Sequence, residues 1–390
     1  MVAKKVELGR KMEIPFNRPF IIGKELDYIA RSVLNGHISG DGPFTKKCQA
    51  LMEEKFNAKK ILLTHSCTAA LEMAAILCEV GPGDEVIMPS YTFVSTANAF
   101  YGRGTRIVFI DIRPDTLNID ETRVSEAITK FTKLIVPVHY GGVGCEMGAL
   151  MDIARRHHLY VVEDAAQGMS AKWNNQFLGT IGDIGAFSFH ETKNFICGEG
   201  GAISVNSEQF IERAEIIREK GTDRSKFFRG EVDKYTWIDI GSSYLPSDIL
   251  AAFLYAQLEN MDKINSRRKE IFNAYYQQLT PLAERGFLKL PVVAFGCESN
   301  SHMFYIILKD EETRTALMNY LKSKGILAIF HYLPLHLSPI GRSMGYRKGQ
   351  FPVTESMSGR LLRLPFYYGL KGREQIKITS FIERFFIKRG

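Results

Sequence analysis

Between about residues 57 and 221, short apolar runs that are typical of strands alternate with amphipathic runs that are typical of helices. Residues 61–64 and 85–88 predict strands, and residues 68–80 between them predict a helix. Further strands are predicted at 105–111 and 133–140. Because these strands are almost continuously apolar, we expect them to be buried on both faces. The pattern therefore predicts an α/β fold in which helices cover both faces of a mostly parallel sheet.

Residues 160–201 place a carboxylate, a hydroxyl and an amine at the ends of predicted strands. Asp164 ends one apolar run, Ser188 lies near the end of the next, and Lys193 follows shortly afterwards. A glycine-rich turn at 198–201 comes after the lysine and leaves room for a bulky group beside it. This combination suits a cofactor that forms a Schiff base with lysine, pyridoxal 5′-phosphate (PLP).

Lys193 is the candidate Schiff-base lysine, because a half-buried amine beside a cationic ring has a lowered pKa and is more often neutral. The alternative is an ordinary surface lysine. Asp164 is the candidate partner of the protonated pyridine nitrogen, which keeps the ring an electron sink. The alternative for Asp164 is a helix N-cap. Gln167 is a candidate donor to the hydroxyl group of the ring.

Ser66, Cys67 and Thr68 lie where a predicted strand passes into a predicted helix. The exposed amides of a helix N-terminus bind phosphate, so these residues are candidates for the cofactor phosphate, with Ser188 completing the site. Simple N-capping would use the same residues. Phe93 follows another strand and is a candidate to stack on the cofactor ring, although an aromatic residue there is more often part of a core.

Four residues are candidates for substrate binding. His190 lies between Ser188 and Lys193, where it either faces the substrate or is a hydrogen-bonded structural histidine. His331 and Tyr332 end a predicted strand in the C-terminal region, where they either reach the substrate or pack between domains. Arg229, like the neighbouring Lys226, is a candidate by charge alone for a ligand that carries a pyrophosphate.

The domain boundary is predicted from a long helical pattern at 246–279, which is typical of a helix that leaves a large domain. The remainder alternates strand and helix: strand 302–309, helix 312–324, strand 326–332 and helix 374–388. We therefore predict a tail at 1–11, a large cofactor-binding domain at 12–260 and a smaller α+β domain at 261–390.

Composition excludes several classes of protein. Hydrophobic residues make up 45% of the 390 residues and charged residues 24%, which is ordinary for a soluble globular protein. The net charge of +7 is spread without a basic-aromatic stripe, so no nucleic-acid partner is expected. No apolar run is long enough to span a membrane, and residues 1–11 lack the apolar core of a signal peptide.

The six cysteines are widely spaced and form no C-x-x-C pair. This spacing predicts neither a metal site nor a disulfide framework, and it favours reduced thiols in the cytoplasm. No G-x-G-x-x-G follows the first strand, which argues against a nucleotide-sugar dehydrogenase.

Taken together, the motifs resemble the DegT/DnrJ/EryC1/StrS family of sugar aminotransferases. The resemblance covers nearly all of the chain from Met12 onward and is carried by residues 14–19, 36–42, 66–71, 89–98, 163–167, 187–201 and 333–336. It implies the type I aspartate-aminotransferase fold, with a large domain built on a mostly parallel seven-stranded sheet and a smaller α+β C-terminal domain. It also implies PLP as cofactor and a homodimer with active sites shared across the interface.

Two segments depart from the family pattern. The phosphate turn, usually S-G-T, has Cys67 in place of the glycine. The usual G-x-N-x-R reads G-S-S-Y-L at 241–245, so Ser243 replaces an asparagine that reaches the cofactor phosphate from the partner subunit in the family. Ser243 keeps a hydroxyl donor but has a shorter reach.

These departures resemble one subgroup of the family. That resemblance implies transfer of an amino group from L-glutamate to C4 of dTDP-4-keto-6-deoxy-D-glucose, giving dTDP-4-amino-4,6-dideoxy-D-galactose for surface polysaccharides of the enterobacterial common antigen type. The alternatives are amination of another nucleotide keto-sugar, at C3 or with gluco configuration, and a non-catalytic PLP or nucleotide-sugar-binding regulator. A related PLP-dependent sugar dehydratase is disfavoured, because that branch has histidine where this chain has Lys193.

Overall fold

The computed structural model describes residues 13–387, so the predicted tail at 1–11 lies outside the described residues. The helices are α1 (Glu25–Leu34), α2 (Pro43–Phe56), α3 (Cys67–Leu77), α4 (Val94–Tyr101), α5 (Val124–Ala127), α6 (Met147–His157), α7 (Ile211–Arg218), α8 (Arg224–Phe228), α9 (Asp248–Leu258), α10 (Met261–Glu284), α11 (Glu311–Ser323), α12 (Pro339–Ser343), α13 (Pro352–Arg360) and α14 (Gly372–Ile387). The strands are β1 (Lys60–Thr64), β2 (Glu85–Pro89), β3 (Arg106–Ile110), β4 (Thr132–Ile135), β5 (Tyr160–Asp164), β6 (Lys172–Trp173), β7 (Gln176–Phe177), β8 (Ile184–Ser188), β9 (Gly201–Val205), β10 (Cys297–Glu298), β11 (Tyr305–Ile307) and β12 (Leu361–Arg363).

A seven-stranded sheet forms the centre of the molecule, with the strand order β1-β9-β8-β5-β4-β2-β3. β9 runs antiparallel to both of its neighbours, β1 and β8, whereas the other neighbouring strands are parallel. β9 follows β8 through a loop that contains no helix, and a parallel return normally requires a longer crossover connection. The predicted mostly parallel seven-stranded sheet is confirmed.

Helices cover the sheet on both faces, as β1 illustrates. Leu62 packs in a core cluster with residues of α3, whereas Ile61 and Leu63 pack in another cluster with residues of α2 and α9. Because successive residues of a strand point to opposite faces, both sides of the sheet are buried. The predicted α/β architecture is therefore confirmed.

The C-terminal part has a core of its own, built from α10, α11, α14 and the paired strands β11 and β12. α10 contributes to two cores, because Met261 and Ile264 pack with the large sheet while Ile271 and Tyr275 pack in the C-terminal core. Ile14 also packs in the C-terminal core. The boundary between residues 260 and 261 remains a prediction.

Two predicted elements differ most from the structure, whereas the strands predicted at 133–140 and 302–309 are shortened to Thr132–Ile135 and Tyr305–Ile307. The single helix predicted at 246–279 is divided into α9 and α10, because Asn260 has φ −110° and ψ 20°, outside the helical range. The strand predicted at 326–332 is reduced to isolated bridges, Ile326 with Ile14 and Ile329 with Arg363. None of the helices between residues 13 and 387 is both long and apolar enough to cross a membrane.

Candidate active site

A cavity of about 700 Å³ opens at the carboxyl ends of β1, β2, β5 and β8. In open α/β sheets this edge is where ligands bind, because the loops that follow the strands converge there. The loops of the large sheet form one wall. The C-terminal part forms the other wall with His302, Ile329, Phe330, His331, Tyr332 and Arg363.

Most of the residues predicted for the site line this one cavity. Those from the large sheet and its loops are Ser66, Cys67, Thr68, Phe93, Asp164, Gln167, Ser188, His190 and Lys193, and those from the opposite wall are His331 and Tyr332. Chain segments far apart in sequence are thus brought together as the strand-end pattern predicts. Arg229 and Ser243 do not line the cavity.

Lys193 lies in the loop between β8 and β9, and its backbone N–H donates to the carbonyl of His190. The next residue fixes this loop: Asn194 donates to the carbonyl of Asn300 at 2.9 Å and contacts Nδ1 of His302 at 2.9 Å. Burial lowers the pKa of the Lys193 amine. Schiff-base formation requires a neutral amine, so this shift favours the predicted role.

Asp164 ends β5 and is 5% exposed. Its Oδ2 accepts a hydrogen bond from the hydroxyl of Thr96 at 2.7 Å, and its Oδ1 accepts from the backbone N–H of Ala166 at 3.1 Å. No helix lies between β5 and β6, so Asp164 holds a turn through the N–H of Ala166 instead of capping a helix, and its carboxylate lies on the cavity wall. Among the described residues no lysine, arginine or histidine forms an ion pair with Asp164, so a cationic group of a ligand can serve as its partner.

Glu163, the neighbour of Asp164 in β5, points away from the cavity and is fully buried. Its carboxylate contacts Nε2 of His139 at 2.9 Å and accepts hydrogen bonds from the backbone N–H groups of Gly179, Ile181 and Gly182. Nδ1 of His139 accepts from the N–H of Cys145, so Nε2 carries the proton that binds Glu163. Glu163 thus holds a loop behind the cavity.

We expect Glu163→Ala to lower the free energy of unfolding by about 3 to 5 kcal/mol, because it leaves His139 and three backbone donors buried without their acceptor. Urea denaturation followed by circular dichroism measures this loss. Glu284→Gln, an exposed position at the end of α10, is the control and should unfold like the parent protein. Equal stability of Glu163→Ala and the parent protein would contradict this role of Glu163.

The predicted phosphate turn lies at the N-terminus of α3. The hydroxyl of Ser66 caps the helix by accepting from the N–H of Ala69 at 3.1 Å, and Thr68 donates to the hydroxyl of Ser95 at 2.9 Å. Gly201 lies against this turn, where a Cβ atom would come within 2.4 Å of the backbone nitrogen of Cys67. The turn can therefore cap the helix and bind a phosphate at the same time. Capping occupies one N–H group of the helix and leaves others facing the cavity.

Cys67 lines the cavity as a thiol rather than a thiolate. Burial raises its pKa well above the ordinary value for a cysteine, and the nearby Asp164 adds to the shift. A neutral thiol is a poor nucleophile, so Cys67 fills the position of the family's glycine without a chemical role of its own.

Aromatic residues form the wall opposite the large sheet. Tyr332 stacks on His331 with a centroid distance of 3.7 Å, and its hydroxyl accepts a hydrogen bond from Nε2 of Gln167 at 2.7 Å. His331 also contacts the hydroxyl of Tyr140 at 2.6 Å, and burial lowers its pKa well below the ordinary value for histidine. Phe93 lies at the cavity mouth and is 55% exposed. The aromatic part of this wall, formed by Phe93, His331 and Tyr332, is therefore uncharged.

His190 and Ser188 lie beside Lys193 on the large-sheet wall. The Nδ1 atom of His190 contacts the hydroxyl of Thr192 at 2.9 Å, and its Nε2 lies 3.8 Å from the carboxylate of Glu199. His190 thus combines the two alternatives, since it faces the cavity and is hydrogen-bonded within its loop. Its role toward a substrate remains a prediction.

Arg229 and Ser243 lie on the surface, outside the cavity. Arg229 forms ion pairs with Glu215 at 2.8 Å and Glu231 at 2.6 Å, so its charge is already compensated. Lys226 pairs with Glu212 in the same way. Ser243 forms a backbone bridge with Glu219. The resemblance assigns Ser243 to a partner subunit's active site, so that role remains a prediction too.

Among the cavity residues that sequence reasoning missed are three with polar side chains: Thr96, His302 and Arg363. Thr96 belongs to the motif at 89–98, but only the structure shows its hydrogen bond to Asp164. Arg363 is brought in by the short strand β12 and His302 by the segment that precedes β11, and no local pattern marks either residue as part of a site. Among the described residues no group of three or more histidine, cysteine, aspartate or glutamate side chains is arranged to hold a metal ion.

Comparison with known proteins agrees with this arrangement. The model of the DegT/DnrJ/EryC1/StrS aminotransferase family matches residues 20–383. The chain is 32% identical over 367 residues to the spore coat polysaccharide biosynthesis protein SpsC of Bacillus subtilis, covering 91% of this chain and 92% of SpsC. It is 34% identical over 367 residues to a pleiotropic regulatory protein of Geobacillus stearothermophilus, covering 94% of each.

A solved structure shares the whole fold. The PLP form of the Streptococcus pneumoniae protein Spr1654 superimposes with a TM-score of 0.87 at 26% identity, covering 94% of this chain and 97% of that protein. The predicted fold class is therefore confirmed. Since the family model spans nearly the whole chain, this protein belongs to the DegT/DnrJ/EryC1/StrS aminotransferase family.

Proposed function

We propose that this protein transfers the amino group of L-glutamate to C4 of dTDP-4-keto-6-deoxy-D-glucose and forms dTDP-4-amino-4,6-dideoxy-D-galactose. The chain is a PLP-dependent sugar aminotransferase of its family. The observation that carries the proposal is the position of Lys193 and Asp164 in one cavity beside the N-terminus of α3. These three features match the aldehyde, the ring nitrogen and the phosphate of PLP.

The residues of the cavity fit the cofactor. Asp164 has no cationic partner among the described side chains, and the protonated ring nitrogen would supply one. The N-terminus of α3 offers backbone N–H groups to a phosphate, and Gly201 allows β9 to lie against that turn. Bound PLP supplies an aldehyde for the amino group and an electron-withdrawing ring that stabilises a carbanion.

Lys193 then has two tasks in the reaction. Its amine attaches the cofactor, and once displaced by the donor amino acid it moves the proton at the reacting carbon of each substrate. The lowered pKa of Lys193 increases the fraction of neutral amine that can accept this proton. The aromatic rim of His331 and Tyr332 encloses the space in which the sugar ring would lie.

The sugar and the pathway rest on resemblance and on the relatives. The segments 89–100, 188–194 and 233–245 resemble the subgroup that aminates C4 with galacto configuration. SpsC, by its name, serves the biosynthesis of a spore coat polysaccharide. This supports the proposal that the product is used for a surface polysaccharide. Another keto-sugar, aminated at C3 or with gluco configuration, is the alternative within this chemistry.

A regulatory role is the alternative from a different class. One relative is named a pleiotropic regulatory protein, and its name gives no enzymatic activity. The position of Lys193 and Asp164 in one cavity favours the enzyme, because binding alone does not require an amine with a lowered pKa.

We also propose a cytoplasmic homodimer with shared active sites. The segment before Ser243 exposes large apolar side chains, as expected of a surface that a second copy covers: Phe227, Phe228, Tyr235, Trp237, Ile238 and Ile240. The six cysteines are unpaired, which supports a reducing compartment.

Adding L-glutamate to the PLP-loaded protein is expected to remove its visible absorbance, and the keto-sugar is expected to restore it. NMR of the sugar product then assigns the aminated carbon and its configuration. A product aminated at C3 or with gluco configuration would replace the proposed sugar chemistry with its alternative. Absorbance that no amino acid changes would favour the regulatory role.

A further inference from the structure

A short buried segment of the C-terminal part, residues 300–302, contacts two loops of the large sheet that carry site residues. The side-chain nitrogen of Asn300 donates to the carbonyls of Gln167 and Met169 at 2.8 and 2.9 Å, in the loop that follows β5. The backbone carbonyl of Asn300 accepts from the side chain of Asn194 at 2.9 Å, in the loop between β8 and β9. This segment thus ties both loops of the cavity to the C-terminal part.

Arg268 of α10 holds the segment from the side of the C-terminal core. It is 3% exposed and donates to the carbonyls of Ser301 and His302. Its guanidinium lies over the ring of Phe366 at 4.8 Å, and Phe366 packs in the C-terminal core. Because a buried guanidinium is costly without acceptors, these two carbonyls are needed where they are. The segment is therefore attached to the C-terminal core as well as to the two loops.

Asn194 and His302 form a hydrogen-bonded pair whose protons can be assigned. The side-chain nitrogen of Asn194 donates to the carbonyl of Asn300, so its side-chain oxygen faces Nδ1 of His302 at 2.9 Å. The reverse orientation of the amide would place two oxygen atoms against each other. Nδ1 of His302 therefore carries a proton and donates it to Asn194. Burial lowers the pKa of His302 well below its ordinary value, and the charges of Lys193 and Arg268 lower it further, so the ring is neutral.

Asn194 is the link between the loop of Lys193 and the C-terminal part. Among the described residues it is the one side chain at 189–200 that hydrogen-bonds to a residue outside this loop. On its other side, Phe195 packs in a core cluster of the large sheet. Four methylene groups separate the amine of Lys193 from its Cα, so the position of this Cα sets the region that the amine can reach.

We propose that Asn194, supported by Asn300 and His302, is a positioning residue that holds the amine of Lys193 within reach of the cofactor aldehyde. Bond formation between two groups slows by orders of magnitude when they are misplaced by about 1 Å. The contact serves PLP, which Lys193 attaches, and not pyridoxamine 5′-phosphate, which has no aldehyde. The inference rests on the proposed function, since it assumes that Lys193 attaches the cofactor.

Asn194→Ala removes both side-chain hydrogen bonds of the link. PLP should leave the loaded protein at least about 10-fold faster, because the bond to Lys193 re-forms more slowly after each opening. Pyridoxamine 5′-phosphate should leave at the parent rate within about threefold, because it has no such bond. Rapid gel filtration of each loaded protein, with fluorescence of the retained cofactor, measures both rates. Asn319→Ala, an exposed position in α11, is the matched control.

His302 offers a second pair of variants that leaves Asn194 in place. His302→Leu removes the Nδ1–H donor and should release PLP about fivefold faster or more. Asparagine keeps an N–H donor near the position of Nδ1, so His302→Asn should release PLP within about twofold of the parent rate. His157→Leu, an exposed position at the end of α6, is the control. Thermal unfolding of each variant measures its stability, and this pair carries the test if Asn194→Ala does not fold.

The outcomes separate the two levels of the argument. If borohydride reduction joins no PLP to Lys193 in the parent protein, the proposed function fails. If the parent protein carries this bond, and both Asn194→Ala and His302→Leu release PLP at the parent rate, the positioning role fails while the function stands. Equal acceleration for PLP and pyridoxamine 5′-phosphate would likewise overturn the positioning role, because it would show a general loosening of the cavity.

Discussion

Lys193→Ala is expected to lower the rate of amino-group transfer by at least about 10³-fold, because it removes the cofactor attachment and the catalytic base together. In the structure the backbone of this loop is fixed on both sides, by the hydrogen bond from Lys193 to His190 and by the side chain of Asn194. The substitution should therefore leave the loop and the global stability largely unchanged. The loss of rate would then be chemical rather than structural.

Single-turnover absorbance with L-glutamate measures the rate, and borohydride reduction followed by peptide mass spectrometry locates the bond to the cofactor. The parent protein should carry the label on Lys193, whereas Lys193→Ala should carry none. Lys322→Ala, an exposed position in α11, is the control. Addition of a small amine such as methylamine should restore part of the rate. A variant that transfers amino groups at the parent rate would show that another group is the base.

The large-sheet wall of this site could be predicted from the sequence because its parts are local. Each apolar run marks a buried strand, and in parallel sheets the residues just after the strands meet at one edge. Asp164, Ser188 and Lys193 therefore gathered in one cavity as expected. Glu163 and Asp164 are neighbours in β5, so their side chains point to opposite sides of the sheet. The packing of the sheet decides that Asp164 faces the cavity and Glu163 the loop behind it.

The opposite wall was predicted only in part, through His331 and Tyr332. Arg363 lies in a strand of three residues, and the strand expected at 326–332 survives only as isolated bridges. Such segments are too short for a periodic pattern, so their position follows from the packing of the C-terminal core against the sheet. The break between α9 and α10 at Asn260 could not be predicted from a local pattern either. The apolar pattern continues through this residue although the helix does not.

Asp164→Asn is expected to lower the rate of transfer by about 10²-fold or more, since it removes the negative charge that favours a protonated ring nitrogen. Asparagine is close to aspartate in shape, and its side-chain oxygen can still accept the hydrogen bond from Thr96 or Ala166. Binding of the cofactor should therefore be retained. Thr96→Val removes the hydrogen bond to Oδ2 and the one with the hydroxyl of Thr92 but leaves the charge of Asp164, and it should cost about 10-fold or less.

N-methyl-pyridoxal phosphate distinguishes an electrostatic role of Asp164 from a structural one. Its ring is permanently cationic, so it does not need a carboxylate to keep the charge that stabilises a carbanion. We compare the transfer rates of Asp164→Asn and the parent protein when both carry this analogue. The difference between the two rates should then be much smaller than it is with PLP. If the variant binds the analogue and stays as slow as with PLP, Asp164 acts by positioning its neighbours, and the pairing of its carboxylate with the ring nitrogen would have to be abandoned.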